Sequence, residues 1–214
     1  MPYDNIIVDF DGTISDSRKD IAQAQLWVLE RLGAGGYREE DLYPFIGMPL
    51  TETFRHLLPP AMHGLIDEAS KLYAEYYPPR SLLTTRLFPG VRRTLERLHA
   101  DGKKIAVAST KRGPGIRRVT DHFGITPLFD RLQGSDGLPF KPDPAIIHVI
   151  IAAEGWDPAR TIMVGDTSMD VMAGKNAGIA TVGVTYGAMS GDQIEAAGPD
   201  FIISEFPALL PLVE

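Results

Sequence analysis

The chain has 214 residues, 44% hydrophobic and 23% charged, a balance that fits one or two globular domains and excludes wholesale disorder. It has no cysteine, which removes disulfide frameworks, thiolate metal sites and thiol nucleophiles. With 21 basic and 28 acidic residues the net charge is -7, so bulk electrostatics argue against non-specific nucleic-acid binding.

The first predicted strand is the apolar run at residues 6–8. From residue 17 to 83 the apolar spacing reads as helix, over 21–32, 51–57 and 62–76. Stops fall at Gly33-Ala34-Gly35-Gly36, Pro59-Pro60 and Pro78-Pro79. Beyond residue 88 the pattern changes, with strand-like runs at 105–108, 162–164, 181–184 and 201–203. Helical spacing lies between most of them: 91–98, with Val91, Leu95 and Leu98 on one face, and 145–153, with Ile146, Ile147 and Ile150. Short continuous apolar runs suit strands buried on both faces, and their alternation with helices predicts a doubly wound parallel α/β sheet. The helical stretch breaks that alternation and reads as a smaller domain, which divides the chain into 1–16 with 84–214, and 17–83. The alternative is that these helices simply pack on the sheet. No apolar run approaches the ~18 residues of a membrane span. The N-terminal Met1-Pro2-Tyr3-Asp4 is not a basic start to an apolar stretch, so a cytoplasmic location without membrane contact is expected.

Three apolar runs end in polar residues: Asp9, Ser109 and Asp166. In a parallel sheet all strands finish at one edge, where ligands of open α/β folds bind, so these three residues are expected to converge. The first ending is the richest, Asp9-Phe10-Asp11-Gly12-Thr13. Carboxylates two apart on an extended segment share a side, and Gly12 permits a sharp turn or a close approach. Two carboxylates ~4 Å apart repel by about 4 kcal/mol at an effective dielectric of ~20, which a cation relieves. With Asp166 and Asp170 the donor set is all hard oxygen and suits Mg2+. Taken alone, Asp-x-Asp-Gly also fits an ordinary turn, and Lys141 before Pro142-Asp143-Pro144 also fits a solvated turn lysine.

Asp9-Phe10-Asp11-Gly12-Thr13, Ser109, Lys141-Pro142 and Gly165-Asp166-Thr167-Ser168-Met169-Asp170 together resemble the four motifs of the haloacid dehalogenase-like (HAD) hydrolases. Their order and separation fit over nearly the whole chain. The pattern is most similar to the phosphoglycolate phosphatase-like members, through Asp16-Ser17, Phe45-Ile46-Gly47-Met48-Pro49-Leu50 and Leu87-Phe88-Pro89-Gly90-Val91. The resemblance implies a Rossmann-like core with a helical cap inserted after the first strand. It implies that Asp9 is the nucleophile, forming an aspartyl-phosphate, and Asp11 the general acid and base. Asp9, Asp166 and the backbone carbonyl of Asp11 would hold Mg2+, and Asp170 would orient waters or Lys141. Ser109, Thr110 and Lys141 would bind the phosphoryl group; Thr110-Lys111 stands where close relatives often carry Asn-Lys.

The same resemblance sorts the reactions. A proton donor at Asp11 favours phosphoryl transfer over dehalogenation. Residues 47–52 contain no Schiff-base lysine, and Ile21 stands where mutases of this layout carry histidine. Hydrolysis of a small phosphorylated metabolite such as 2-phosphoglycolate is therefore expected, by a monomer or homodimer. Pyrophosphate, sugar phosphates and nucleotides stay open as substrates, and a non-catalytic phosphometabolite sensor is the contrasting reading. The five histidines are read as structural or surface residues, and Trp27 and Trp156 as packing residues at helical positions. Arg18, Lys19 and Arg55 are either plain surface charge or contacts for a substrate carboxylate.

Overall fold

The apolar run after Asp4 forms β1, Asn5–Val8, with all four residues buried. In the computed structural model, which describes residues 3–213, a short β2 (Ser15–Asp16) follows, then helices α1 (Arg18–Arg31), α2 (Glu39–Leu42), α3 (Leu50–Leu57) and α4 (Ile66–Tyr76). Strand β3 (Arg86–Leu87) leads back to α5 (Val91–Ala100), β4 (Lys104–Ser109), α6 (Gly113–His122), β5 (Arg131–Gly134) and α7 (Ala145–Glu154). The chain continues through β6 (Thr161–Gly165), α8 (Ser168–Asn176), β7 (Ala180–Val184), α9 (Gly191–Ala197), β8 (Phe201–Ile203) and α10 (Leu210–Val213). Met1 and Pro2, which begin the N-terminal reading above, and Glu214 lie outside the described residues. Among the described residues no helix is long and apolar enough to cross a membrane.

Six strands form one parallel sheet in the order β5-β4-β1-β6-β7-β8. The chain first builds outward from β1 through β4 to β5, then crosses to β6 on the other side. That reversal creates the crevice at which open α/β sheets bind ligands. Alternate side chains of the strands face opposite sides. Ile7, Ala106, Ala108 and Met163 pack with Ile146, Ile147 and Ile150 of α7, together with Ala173, Ile179 and Trp156. Their neighbours Ile6, Val8, Ile105 and Val107 are equally buried, so both faces are covered. This double burial is why the central strands read as unbroken apolar runs.

Strand β5 is not visible as an apolar run, because Arg131-Leu132-Gln133 is an edge segment of intermediate burial. Trp156 packs as expected but lies beyond the helix: α7 ends at Glu154 with Gly155 as its cap, and the Trp156 N–H closes the turn onto the Ile151 carbonyl at 3.0 Å.

The described chain divides into two compact units, one running to Asp16 and resuming at Leu87, the other Ser17–Arg86. Inside the second, α1 is buried on two sides. Ala22, Val28 and Leu29 pack with Leu42, Phe54, Leu57, Leu58 and Ile66. Ile21 and Ala24 pack with Ile46 and Tyr77. Trp27 stacks on Tyr76 with ring centroids 4.2 Å apart. Buried Asp20, in the first turn of α1, accepts from the backbone N–H and hydroxyl of both Thr84 and Thr85 at 2.7–3.0 Å. The helix expected over 62–76 begins instead as a 3-10 turn, Pro60–Leu65, before α4. Gly64 is a poor α-helix former at that place.

Candidate active site

Strand register sets the site. Val8 of β1 stands level with Val107 of β4 and Val164 of β6, and the Asp9 N–H continues the ladder to the Val164 carbonyl at 2.8 Å. The residues just past these positions, Asp9, Ser109 and Asp166, therefore emerge together at the carboxyl edge. All three are buried, as are Lys141 and Asp170. Asp9, Asp166 and Asp170 each offer a carboxylate oxygen, and these lie within 4.8 Å of one another.

Lys141 binds into this group. Its ammonium donates to Asp9 Oδ1 at 2.6 Å, to the Ala108 carbonyl at 3.1 Å and to Asp170 Oδ1. Those contacts engage all three of its hydrogens. Burial alone would disfavour the ammonium, but the charges of Asp170 and Asp9 outweigh it and raise the Lys141 pKa. Burial raises the Asp9 carboxyl well above its ordinary value; Lys141 opposes this, while Asp170 and Asp166 reinforce it. Asp166 is pushed up to about 7, first by burial and then by Asp170, against hydrogen bonds from the Ala188 N–H and Thr13 hydroxyl.

With all three carboxylates ionised against one ammonium, the group would carry an excess of two negative charges, which the raised Asp9 and Asp166 values oppose. Neighbours that repel each other's ionised forms and consist of oxygen donors alone are a fit environment for a hard divalent cation. The donors are held in place by the surroundings. Thr13 Oγ1 donates to Asp166 Oδ1 at 3.0 Å, and the Ala188 N–H donates to Asp166 Oδ2 at 2.7 Å. The Tyr186 hydroxyl donates to the Thr13 carbonyl at 2.9 Å. Gly12 has φ +97°, and a Cβ there would lie 2.1 Å from Asp166 Oδ2, so the turn after Asp11 and the closeness of Asp166 both require glycine. Asp170 closes a capping box at the start of α8. Its Oδ2 accepts from the Thr167 N–H at 3.1 Å and hydroxyl at 2.7 Å, while its other oxygen accepts from Lys141.

Asp11 is directed elsewhere. Its carboxylate meets Lys111 Nζ at 2.9 Å rather than joining the trio. Ser109 ends β4, and its Oγ accepts from the Lys111 N–H at 3.2 Å. Thr110 follows, its carbonyl accepting from Ser135 Oγ at 2.7 Å. The sequence reading gave no role to Thr13, to Lys111 or to the 186–188 turn. That turn follows β7 at the same sheet edge, which is the signal that could have found it. Of the cations weighed there, Arg55 pairs with exposed Glu52 and the Arg18 guanidinium lies 5.9 Å from the Tyr43 ring centre.

The fold and these acids together define a doubly wound α/β core with a cluster of buried carboxylates at the edge of its parallel sheet. The model of the haloacid dehalogenase-like hydrolases matches residues 6–184, and the chain belongs to that family. It is 30% identical to the phosphoglycolate phosphatase of Vibrio parahaemolyticus over 216 residues, covering 97% of this chain and 95% of the relative. It is 32% identical to the pyrophosphatase PpaX of Bacillus velezensis over 206 residues, covering 96% and 94%. Among solved structures, one described as a predicted phosphoglycolate phosphatase from Haemophilus somnus 129PT superposes with a TM-score of 0.91 at 28% identity, covering 99% of this chain and 98% of that one.

Proposed function

We propose that this chain is a magnesium-dependent phosphatase that hydrolyses a small phosphomonoester, 2-phosphoglycolate or a close analogue, through a phosphorylated Asp9. The observation that carries this reading is Asp9 itself: a buried carboxylate at the end of the central strand, with Lys141 2.6 Å from one oxygen and two further aspartates beside it. An Asp9 oxygen attacks phosphorus while the bond to the leaving oxygen breaks, and Asp11 gives that oxygen its proton. Water then attacks the same phosphorus and Asp11 takes a proton from it. The bond between phosphorus and Asp9 breaks and inorganic phosphate leaves.

The Ser109 hydroxyl, Thr110 and Lys141 hold the phosphoryl oxygens, and Asp170 keeps Lys141 in position. Asp9, Asp166 and the Asp11 carbonyl are the ligands for Mg2+. When bound, the ion neutralises phosphoryl charge that would otherwise repel the nucleophile. The helical segment acts as the cap of the family, admitting small metabolites and excluding bulk water. The enzyme works in the cytoplasm as a monomer or homodimer, without nucleic acid.

A pyrophosphatase is the second reading, favoured by the likeness to PpaX over nearly the whole chain. The test is a panel comprising 2-phosphoglycolate, pyrophosphate, sugar phosphates, nucleoside monophosphates and p-nitrophenyl phosphate, ranked by kcat/KM with Mg2+. A compact ester at the top supports the proposal, and pyrophosphate at the top supports the second reading. No turnover with any divalent ion overturns both and leaves a phosphometabolite sensor.

A further inference from the structure

The ion pair between Lys111 and Asp11 is not used by the reaction as described. Both side chains are about 10% exposed, and Nζ lies 2.9 Å from the carboxylate. In an in-line displacement the nucleophile and the leaving oxygen are on opposite sides of phosphorus. Asp11, as the donor to the leaving oxygen, belongs to the leaving side, and so does a cation one hydrogen bond away from it. The two lysines thus divide the work: Lys141 is bound to the nucleophile, Lys111 to the proton donor.

The backbone that carries Lys111 is fixed. Its N–H donates to Ser109 Oγ, its carbonyl accepts from the Ser135 N–H at 3.3 Å, and the Gly113 N–H donates to Asp136 Oδ2 at 2.8 Å. The stem lies against the start of α6, where a Cβ at Gly115 would stand 3.1 Å from Lys111 Cγ. What remains to move is the far end, an ammonium that can exchange one oxyanion for another.

We propose that Lys111 selects substrates by the charge of their leaving half, favouring phosphate esters or anhydrides in which that half carries an oxyanion, a carboxylate or a second phosphoryl group, near the leaving oxygen. The inference rests on the phosphatase reading and on Asp11 as its proton donor. On binding, the substrate oxyanion takes Lys111 as its partner, which frees the Asp11 carboxyl from the ion pair to carry, and then give to the leaving oxygen, the proton that the departing group needs.

The experiment compares 2-phosphoglycolate, its uncharged counterpart 2-hydroxyethyl phosphate, inorganic pyrophosphate and p-nitrophenyl phosphate. Each is assayed with the wild type, Lys111→Gln and Lys111→Arg. A charge-assisted contact in so sheltered a place predicts a wild-type preference of about tenfold or more in kcat/KM for an anionic leaving half. Lys111→Gln abolishes that preference, chiefly through KM, and Lys111→Arg restores part of it. General damage to the fold would lower all substrates alike and leave the ratio standing. Loss confined to 2-phosphoglycolate identifies a carboxylate, and loss on pyrophosphate a phosphoryl group; either supports the assignment. A wild type that hydrolyses p-nitrophenyl phosphate without preferring an anionic leaving half overturns it and spares the phosphatase reading, as does a Lys111→Gln variant that keeps the preference. No hydrolysis of any of the four by the wild type counts against the phosphatase reading as well.

Discussion

Asp9 and Asp11 are separated by one phenylalanine, yet their carboxylates face different lysines, Asp9 toward Lys141 and Asp11 toward Lys111. Different partners fit different roles, and substitutions should expose the division. Asp9→Asn keeps the shape and a hydrogen-bonding oxygen but removes the proposed nucleophile, so turnover should fall by at least on the order of 10^3-fold while the circular dichroism spectrum holds. Asp11→Asn should cost about 10^2-fold or more on an alkyl phosphate, whose leaving oxygen needs a proton. It should cost much less on p-nitrophenyl phosphate, wherever chemistry limits both rates. Equal losses would remove Asp11 from the proton-donor role. Asp9 and Asp166 were legible in the sequence because each directly follows an apolar strand, so chain position already states which edge it reaches. Their supports were not. Thr13 and the Ala188 N–H come to Asp166, and Tyr186 to Thr13, through turns whose paths depend on the folded sheet.

The helical elements show the same contrast. Helix α7 was readable from Ile146, Ile147 and Ile150, which recur on one face and are buried against the sheet. Ile147→Ala should cost about 2–5 kcal/mol, read from the urea midpoint, because it opens a cavity in a fully covered layer. Asp20, by contrast, looks in the sequence like any acid in a first helical turn. Only the structure reveals that Thr84 and Thr85, more than sixty positions away, wrap its carboxylate. Asp20→Ala should therefore destabilise the protein by about 3 kcal/mol, well beyond a surface change, since four donors lose a charged acceptor. Strand β5 was missed for a related reason: an edge strand covered on fewer sides has no need of the apolar run that betrayed its neighbours.

For the whole molecule, the surplus of buried negative charge is the property that couples stability to a cation. If a divalent ion binds at this acidic site in the folded protein and not the unfolded chain, saturating Mg2+ should raise the melting temperature. Concentrations near 100 times Kd would add about 2.7 kcal/mol. Chelation should lower the melting temperature and stop turnover together, and restored Mg2+ should return both. A melting temperature indifferent to every divalent ion would separate the acids from metal binding. The parallel sheet was legible from its apolar runs, whereas the order of its strands follows from chain crossings that no local pattern encodes.

Asp170 serves two structures with its two oxygens, α8 with one and Lys141 with the other. No substitution there can act on a single property. Removing the carboxylate frays the first turn of the helix in the same stroke that lets the lysine drift, and an amide returns only one of the two acceptors, uncharged, with a donor in place of the other. Mutational drift at this position is therefore constrained twice over, once through persistence of the fold and once through turnover, and variants that trade one for the other should be absent from any library screened for either.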